Sequence, residues 1–123
     1  MDQYDFDLHY DMVSRWFRDR EMPVPRPFDF PSFGLIVPGL GAGFLIQTDT
    51  PYGIIDFLIS NPLAARKKRS DAMDEITTSL MAQAKRLGFR GVKADAEILV
   101  SKERARRLGF RCLGSFDSFV KEF

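Results

Sequence analysis

A single carboxylate, Asp56, interrupts the apolar run of residues 53–59 and is the side chain best placed for proton-transfer chemistry. A lone carboxylate among apolar neighbours costs free energy unless it is paired or protonated. Burial also makes a carboxylate hold a proton more tightly, which suits a general base that works near neutrality. We therefore expect Asp56 to be more basic than a free aspartate and, as a general base, to be open to water or an acceptor amine. The alternative is a structural aspartate bonded to a backbone group or to an arginine.

Four consecutive cations, Arg66, Lys67, Lys68 and Arg69, form the second group that could do chemistry. Guanidinium and ammonium groups bind phosphate oxygens through charge-assisted hydrogen bonds. Carboxylates follow closely, at positions 71, 74 and 75, and would oppose an anion bound at the start of the next helix. The run predicts a phosphate-binding loop. A solvated loop and a contact with a protein or nucleic acid are the alternatives.

Composition excludes most metal and disulfide chemistry. The 123 residues contain one cysteine and one histidine, so an internal disulfide and a cysteine- or histidine-rich metal centre are excluded. We expect His9 on the surface, Cys112 in the core at the start of a strand, and Trp16 in the core. The net charge of +1 gives no reason to invoke nucleic acid or an anionic membrane. The acidic start lacks a signal-peptide pattern, and no apolar stretch approaches the ~20 residues that span a bilayer, which predicts a cytoplasmic protein.

Hydrophobic periodicity predicts a single α+β domain over residues 1–123. The strand at 54–60 is almost continuously apolar, as expected of a central strand buried on both faces. A stiff proline-rich connection separates the first helix from the first strands. The predicted elements are a helix at 8–20, a hairpin of strands 34–37 and 42–48, a strand at 54–60, a long helix at 70–87, a strand at 92–96, a short helix at 101–108 and a strand at 111–120.

The helix at 70–87 has the clearest end signals. Ser70 is the expected N-cap, and the carboxylates at 71, 74 and 75 would lie in the first turns, where the helix dipole favours them. Gly88 is the expected left-handed stop. The pentapeptide Arg-Leu-Gly-Phe-Arg ends this helix at 86–90 and recurs at 107–111, where Gly109 should end the short helix in the same way.

This order of elements resembles the GNAT (GCN5-related N-acetyltransferase) superfamily from the first helix to the last strand. The resemblance implies an α+β, three-layer fold with a mixed, mostly antiparallel sheet and flanking helices. Strand 54–60, which runs through a loop into the long helix, looks like the acetyl-CoA-binding segment, and the Leu-Gly-Phe sequence at 108–110 looks like the closing segment. The Asn-Pro strand end at 61–62 and hairpin residues 43–49 are also similar to small GNAT-like proteins of tailed bacteriophages.

The resemblance implies acetyl-CoA as the cofactor, bound where the sheet opens near residues 59–61. The pantetheine would pair with the strand backbone like an added strand, and the pyrophosphate would lie against the basic run. Asp56 stands near the place where several members hold a glutamate base, so it is the implied catalytic residue. The implied cofactor-binding residues are Leu58, Ile59, Ser60, Arg66, Lys67, Lys68, Arg69 and Ser70.

Two departures from the superfamily pattern bear on catalysis. Residues 68–73, which correspond to the usual glycine-containing pyrophosphate loop, include no glycine. Ala105 stands where many members place the tyrosine that reprotonates the CoA thiolate. Either Tyr4, Tyr10 or Tyr52 is brought in by the fold, or solvent supplies this proton. The basic short helix either faces solvent or contacts the 3′-phosphate of CoA.

Two functions from different classes fit these residues. One is an acetyl-CoA-dependent N-acyltransferase that acts on an amine of a protein or small molecule through a glycine-free cofactor loop. The other is a catalytically inactive GNAT-shaped binding module, for example a phage protein that engages a host protein or joins the virion. Asp56 and the basic run favour the first, whereas the missing glycines and Ala105 favour the second. A nucleic-acid-binding role is disfavoured, because the aromatic residues lie at core spacing rather than between the cations.

Overall fold

The computed structural model describes residues 1–96 and 99–123. A five-stranded sheet has helices against both of its faces, and a short 3₁₀ turn, Pro27–Asp29, lies in the proline-rich connection. In chain order the elements are β1 Asp2–Gln3, α1 Phe6–Asp19, β2 Phe33–Val37, β3 Gly41–Ile46, β4 Tyr52–Ser60, α2 Arg66–Arg86, β5 Gly91–Ala94 and α3 Leu99–Arg107.

The strands follow one another across the sheet in the order β1-β2-β3-β4-β5. Every neighbouring pair is antiparallel except β4 and β5, which run parallel. The prediction of a mixed, mostly antiparallel sheet with strand 54–60 inside it and the next strand parallel beside it is confirmed. The register joins β5 only to residues Tyr52–Ile55 of β4. The second half of β4 therefore has a partner in β3 but none in β5, and the sheet opens there.

Two apolar clusters hold the layers together, one on each face of the sheet. On one face α1 buries Val13, Trp16 and Phe17 against the sheet, together with Phe30 and Phe44. Trp16 is in the core, as predicted. On the other face α2 contributes a stripe at helical spacing, as the sequence indicates. The buried residues of this second cluster are Leu45, Ile55, Met73, Ile76, Leu80 and Ala84.

Close approach of α2 to the sheet depends on Gly43 in β3. A Cβ atom at this position would come within 2.6 Å of the Leu58 side chain and 2.9 Å of that of Ile76. Such distances would force a side chain or the helix to move, so the absent side chain lets α2 lie directly on the sheet.

A β-bulge reorients the middle of β4. Phe57 has φ +53°, and the pairing with β3 slips between Ala42 and Phe44. The sequence predicts that Ile55, Phe57 and Ile59 share one face of the strand. This is wrong, because Ile55 packs in the α2-side cluster whereas Phe57 and Ile59 pack on the α1 side. One extra residue reverses the alternation of every side chain beyond it.

Helix α2 begins at Arg66, four residues before the predicted start. The N-cap position is Ala65, which provides no side-chain cap. Ser70 therefore lies inside the helix rather than at its N-cap, and the run of four cations is its first turn rather than a loop. The predicted helix ends are confirmed. Gly88 and Gly109 have φ +91° and +90°, and the N–H of the following phenylalanine bonds back to the helix in each case.

Residues 111–123 differ from the prediction most. The sequence predicts a strand at 111–120, but these residues form neither strand nor helix and are exposed. Their composition suits a strand, yet within the described chain they lie beside no strand with which they could pair, and an isolated strand is not stable. Cys112 is exposed rather than buried.

His9 is buried, contrary to the prediction of a surface histidine. Its Nδ1 accepts a hydrogen bond from the backbone N–H of Asp5, the N-cap residue of α1, at 2.9 Å. His9 thus gives this N–H a partner at the start of its own helix. Among the described residues no cluster of His, Cys, Asp and Glu could hold a metal ion. No helix in the described part of the chain is long and apolar enough to cross a membrane.

Candidate functional site

The open half of β4 offers backbone groups on the side where β5 is missing. Ile59 pairs with Ala42 and Ser60 with Gly41 on the β3 side. On the opposite side, residues 56–60 extend beyond the last paired position of β5. An extended polar chain could pair there in the manner of an added strand. Leu58, Ile59 and Ser60 thus lie on the stretch of β4 that has no partner on the β5 side, immediately before the loop that leads into α2.

Arg20 lies at the end of this unpaired stretch, and the sequence gives no sign of its role. It lies at the C-cap of α1, and its Nε donates to the Ser60 carbonyl at 2.9 Å while Nη2 donates to Ser60 Oγ at 2.7 Å. Burial, and in second place the charge of Arg69, lower the pKa of Arg20. Because the Ser60 carbonyl already has a donor, a bound chain would pair with Leu58 and the Ser60 N–H, or displace Arg20.

Arg69 holds the loop between β4 and α2. Its Nη1 donates to the carbonyls of Pro62 and Ala64 at 3.0 and 3.1 Å. The loop is also fixed by Asn61, whose Oδ1 accepts the Leu63 N–H. None of the ion pairs found among the described residues involves Arg20 or Arg69. Two neighbouring guanidinium groups without a carboxylate between them leave a positive region at the end of β4.

The N-terminus of α2 adds to this positive region. A helix leaves its first N–H groups without partners inside the helix, and its dipole places about half a positive charge there. No side chain caps this end and no acidic residue lies in the first turn. Arg66, Lys67 and Lys68 are exposed, and Arg69 and Ser70 are half-buried. The expected cofactor-binding residues of the basic run are therefore gathered at one helix end.

The carboxylates that seemed to oppose an anion lie further along α2. Asp71 pairs with Lys67 at 3.1 Å, one turn in. Asp74 accepts hydrogen bonds from Arg104 and Arg107 of α3 at 2.8 and 2.9 Å, and these bonds, that of Arg107 first, lower its pKa. The prediction that these carboxylates lie in the first turn of the helix is wrong, because the helix starts earlier. Two arginines of α3 are thus bound to α2 rather than simply solvated.

Asp56 is exposed, as a general base must be. Its Oδ1 accepts the N–H of Phe57, at 2.7 Å, across the bulge. Its register partner is Phe44, which packs on the α1 side, and directly paired residues share a face of the sheet. Asp56 is therefore open to solvent on the α1 side, two residues before the cofactor-binding stretch. It is not buried against an arginine, so its role as a base stays a prediction.

The tyrosines have other roles in this structure. Tyr10 donates its hydroxyl to the Pro25 carbonyl at 2.8 Å. The Tyr4 hydroxyl is buried with no hydrogen-bond partner among the described residues, and burial raises its pKa to about 12. Tyr52 lies beneath the ammonium group of Lys93. No observed contact of these three hydroxyls involves the open stretch of β4.

Two grooves of the protein lie elsewhere. One groove is lined by Phe33, Leu35 and Gln83 between α2 and β2. Another runs between α2 and β5. Neither includes Asp56 or the start of α2. The end of β4 is an unpaired strand edge, and neither of these two grooves extends to it.

Comparison with known proteins places this geometry in context. No protein-family model matches the chain, and no curated protein sequence matches it. Solved structures do match. The crystal structure of a probable acetyltransferase superposes with a TM-score of 0.69 over 99% of this chain and 96% of that chain, at 12% sequence identity. An acetyltransferase of Trypanosoma brucei superposes with a TM-score of 0.68 over 98% of this chain and 97% of that chain, also at 12% identity.

The chain has the fold of these acetyltransferases. The α+β prediction with a mixed sheet and flanking helices is thereby confirmed. At 12% identity the likeness concerns the fold alone, since one fold hosts many functions. Within this acetyltransferase fold, the open edge of β4 leads directly into the cationic first turn of α2, and the chemistry has to be argued from that arrangement.

Proposed function

We propose that the protein is an acetyl-CoA-dependent N-acyltransferase that acts on an amine of a protein or small molecule. One observation carries the proposal: the unpaired edge of β4 runs straight into a helix N-terminus with four cations, no cap and no carboxylate in its first turn. An extended amide-containing chain that ends in a pyrophosphate matches both halves of this site. The acetyltransferase fold supports the same assignment.

Each half of the site binds a different part of the cofactor. The backbone of Leu58 and the N–H of Ser60 would hydrogen-bond the amides of the pantetheine as an added strand does, whereas the N–H and C=O of Ile59 face β3. The free N–H groups at the start of α2 and the side chains of Arg66–Arg69 would hold the pyrophosphate. Charged side chains here take the place of the flexible glycines of other loops. Arg20 fixes the end of β4 through Ser60, so the strand is presented in a constant register.

Asp56 is the residue of the proposed active site that would move a proton. An amine must lose a proton as its nitrogen bonds to the acetyl carbon and the carbon–sulfur bond breaks. The exposed carboxylate of Asp56 can accept that proton directly or through one water molecule. The departing thiolate is a good leaving group and can take a proton from solvent, which accounts for the absence of a tyrosine at Ala105.

A catalytically inactive binding module is the second candidate. Two observations favour it: Ala105 provides no acid, and Arg20 already occupies the Ser60 carbonyl at the end of the open edge. A phage protein that engages a host protein or the virion would be one such module. It would need the fold and the exposed surfaces but not the cofactor.

Calorimetric titration with acetyl-CoA separates the two functions. The acyltransferase predicts micromolar binding to the native protein, and turnover when a mixture of amines is offered with release of CoA thiol as the readout. Binding without turnover would support a module that retains the cofactor. No heat of binding at millimolar acetyl-CoA would refute the proposed function.

A further inference from the structure

Residues 111–123 carry an apolar surface that no described part of the chain covers. Phe116 is 78% exposed and Phe119 93% exposed, and Leu113, Val120 and Phe123 are also exposed. No backbone–backbone hydrogen bond joins these residues to the rest of the described chain. Soluble monomers rarely expose so many large apolar side chains together, so the segment has the character of a surface that a partner covers.

Strand β5 has an unpaired edge to which such a segment could add. Among the described strands only β4 pairs with it. Successive peptide groups of a strand point to opposite edges, and the register directs the N–H and C=O groups of Gly91 and Lys93 toward β4, so those of Val92 and Ala94 point outward. An exposed edge of this type is a template for an added strand.

The surface beside this edge complements the segment in chemistry. A groove next to β5 is apolar at its floor and basic at its rim. The segment brings three phenylalanines together with the carboxylates of Asp117 and Glu122. The groove is lined by Met81, Ala84, Lys85, Phe89, Arg90, Gly91 and Val92. Apolar side chains can enter the floor while the carboxylates meet the cationic rim.

Residues 111–123 extend away from β5 of their own chain. Phe110, just before it, packs on the α2-side cluster. The far end approaches the connection between α1 and β2, where the Asp29 carboxylate and, at longer range, that of Glu122 raise the pKa of Arg26. The segment thus leaves the edge of β5 open in its own chain and extends where a second molecule can receive it.

We propose that residues 111–123 of one copy add as a strand to the β5 edge of a second copy, and that the reciprocal exchange forms a two-fold dimer. The area involved is sufficient. Three phenylalanines at ~150–250 Å² each bury roughly 450–750 Å² per segment, hence roughly 900–1,500 Å² in a symmetric exchange before the strands themselves are counted. Stable interfaces bury about 1,200–2,000 Å² in total. A self-complementary contact also closes on itself rather than forming a filament.

Sedimentation equilibrium of the full chain tests the dimer. The native protein should have the mass of two chains at micromolar concentration, and Phe116→Asp/Phe119→Asp should weaken the dimer by about a hundredfold or more. Leu8→Asp/Phe28→Asp is a matched control, because these side chains are 76% and 98% exposed on other elements. It should remain dimeric. A native protein that is monomeric, or a folded tail variant that is still dimeric, would overturn the proposal.

Two further variants keep the test decisive if the tail variant does not fold. Ala94→Pro removes only an outward N–H, so it should give a monomer while the pairing with β4 survives. In the proposed dimer, Lys93→Cys would place a thiol on β5 near the native Cys112 of the second copy. A short bismaleimide should then join the two chains. The same variant with Cys112→Ser should lose this covalent dimer. A cross-link within one chain would show that the segment folds onto its own β5, and would refute the exchange.

Discussion

The first turn of α2 gives the most direct test of the proposed acetyl-CoA site. Arg66, Lys67 and Lys68 should be replaced together by alanine while Arg69 is kept, because Arg69 also holds the preceding loop through two carbonyls. Exposed charge contacts are worth ~0.2–1 kcal/mol each, so three of them contribute roughly 0.6–3 kcal/mol. Since ~1.4 kcal/mol is a factor of ten, acetyl-CoA affinity should fall about 3- to 100-fold. Lys67 also forms an ion pair with Asp71, so it is less available to a phosphate. We therefore expect a loss of affinity near the middle of that range.

Calorimetry at two salt concentrations measures this effect and its origin. Exposed charges are screened over about 10 Å at 0.1 M salt and about 3 Å at 1 M, so the difference between native and variant protein should shrink at high salt. The control is Arg15→Ala/Arg18→Ala/Lys85→Ala, which removes the same charge from exposed positions on other surfaces. An equal loss in the control would mean that net charge alone is responsible. Unchanged affinity in the first variant would refute the phosphate site.

Three further predictions concern single side chains. Asp56→Asn should lower the rate of acetyl transfer by roughly 10²–10⁴ with unchanged acetyl-CoA affinity, and an unaffected rate would exclude a general base there. Arg20→Met should reduce the free energy of unfolding in urea by about 1–2 kcal/mol, because two hydrogen bonds to Ser60 are lost; no change would show that these bonds contribute nothing. The pKa of Asp74 is lowered in the folded protein, so its stabilisation is present above its unfolded value of 3.8 and lost as pH falls through the folded value. Asp74→Asn should remove that part of acid denaturation, and an identical acid profile would contradict the role of Arg107.

Much of the fold could be predicted from the sequence because its signals agree with one another. A strand that is apolar on both faces indicated a position inside the sheet, and β4 lies between β3 and β5. The glycines of the two repeated pentapeptides indicated where α2 and α3 end, because only glycine enters the left-handed region without cost. Helical spacing correctly placed Trp16 in the core. Each of these inferences depended on local pattern alone.

Other features depend on contacts that no local pattern encodes. Phe57 occupies a backbone region that bulky residues rarely adopt, so the bulge could not be expected from its residue type. Arg20 meets Ser60 across 40 positions of the chain. His9 is buried because it accepts a backbone bond at the start of its own helix. The expected strand at 111–120 has the composition of a strand, but it pairs with no strand among the described residues.

The start of α2 was predicted wrongly for a reason that itself bears on function. Helices favour carboxylates in their first turn and disfavour cations, so the sequence pointed to Ser70 and the acids that follow. The actual helix begins with Arg66 and has four cations at its positive end. Such an arrangement costs stability in the free protein unless an anion compensates. Sequences tend to break local rules of this kind at functional sites.

This reasoning gives a last prediction, in which stability and binding change in opposite directions. Lys68→Glu reverses one exposed charge at the start of α2 that takes part in no ion pair found among the described residues. The free protein should become more stable by ~0.3–1 kcal/mol at low ionic strength, because the new carboxylate suits the helix dipole. Acetyl-CoA affinity should fall, because the same carboxylate repels a pyrophosphate. Urea unfolding and calorimetry measure the two effects on one sample. If the variant is more stable and its affinity for acetyl-CoA equals that of the native protein, the cations at this helix end do not bind the pyrophosphate.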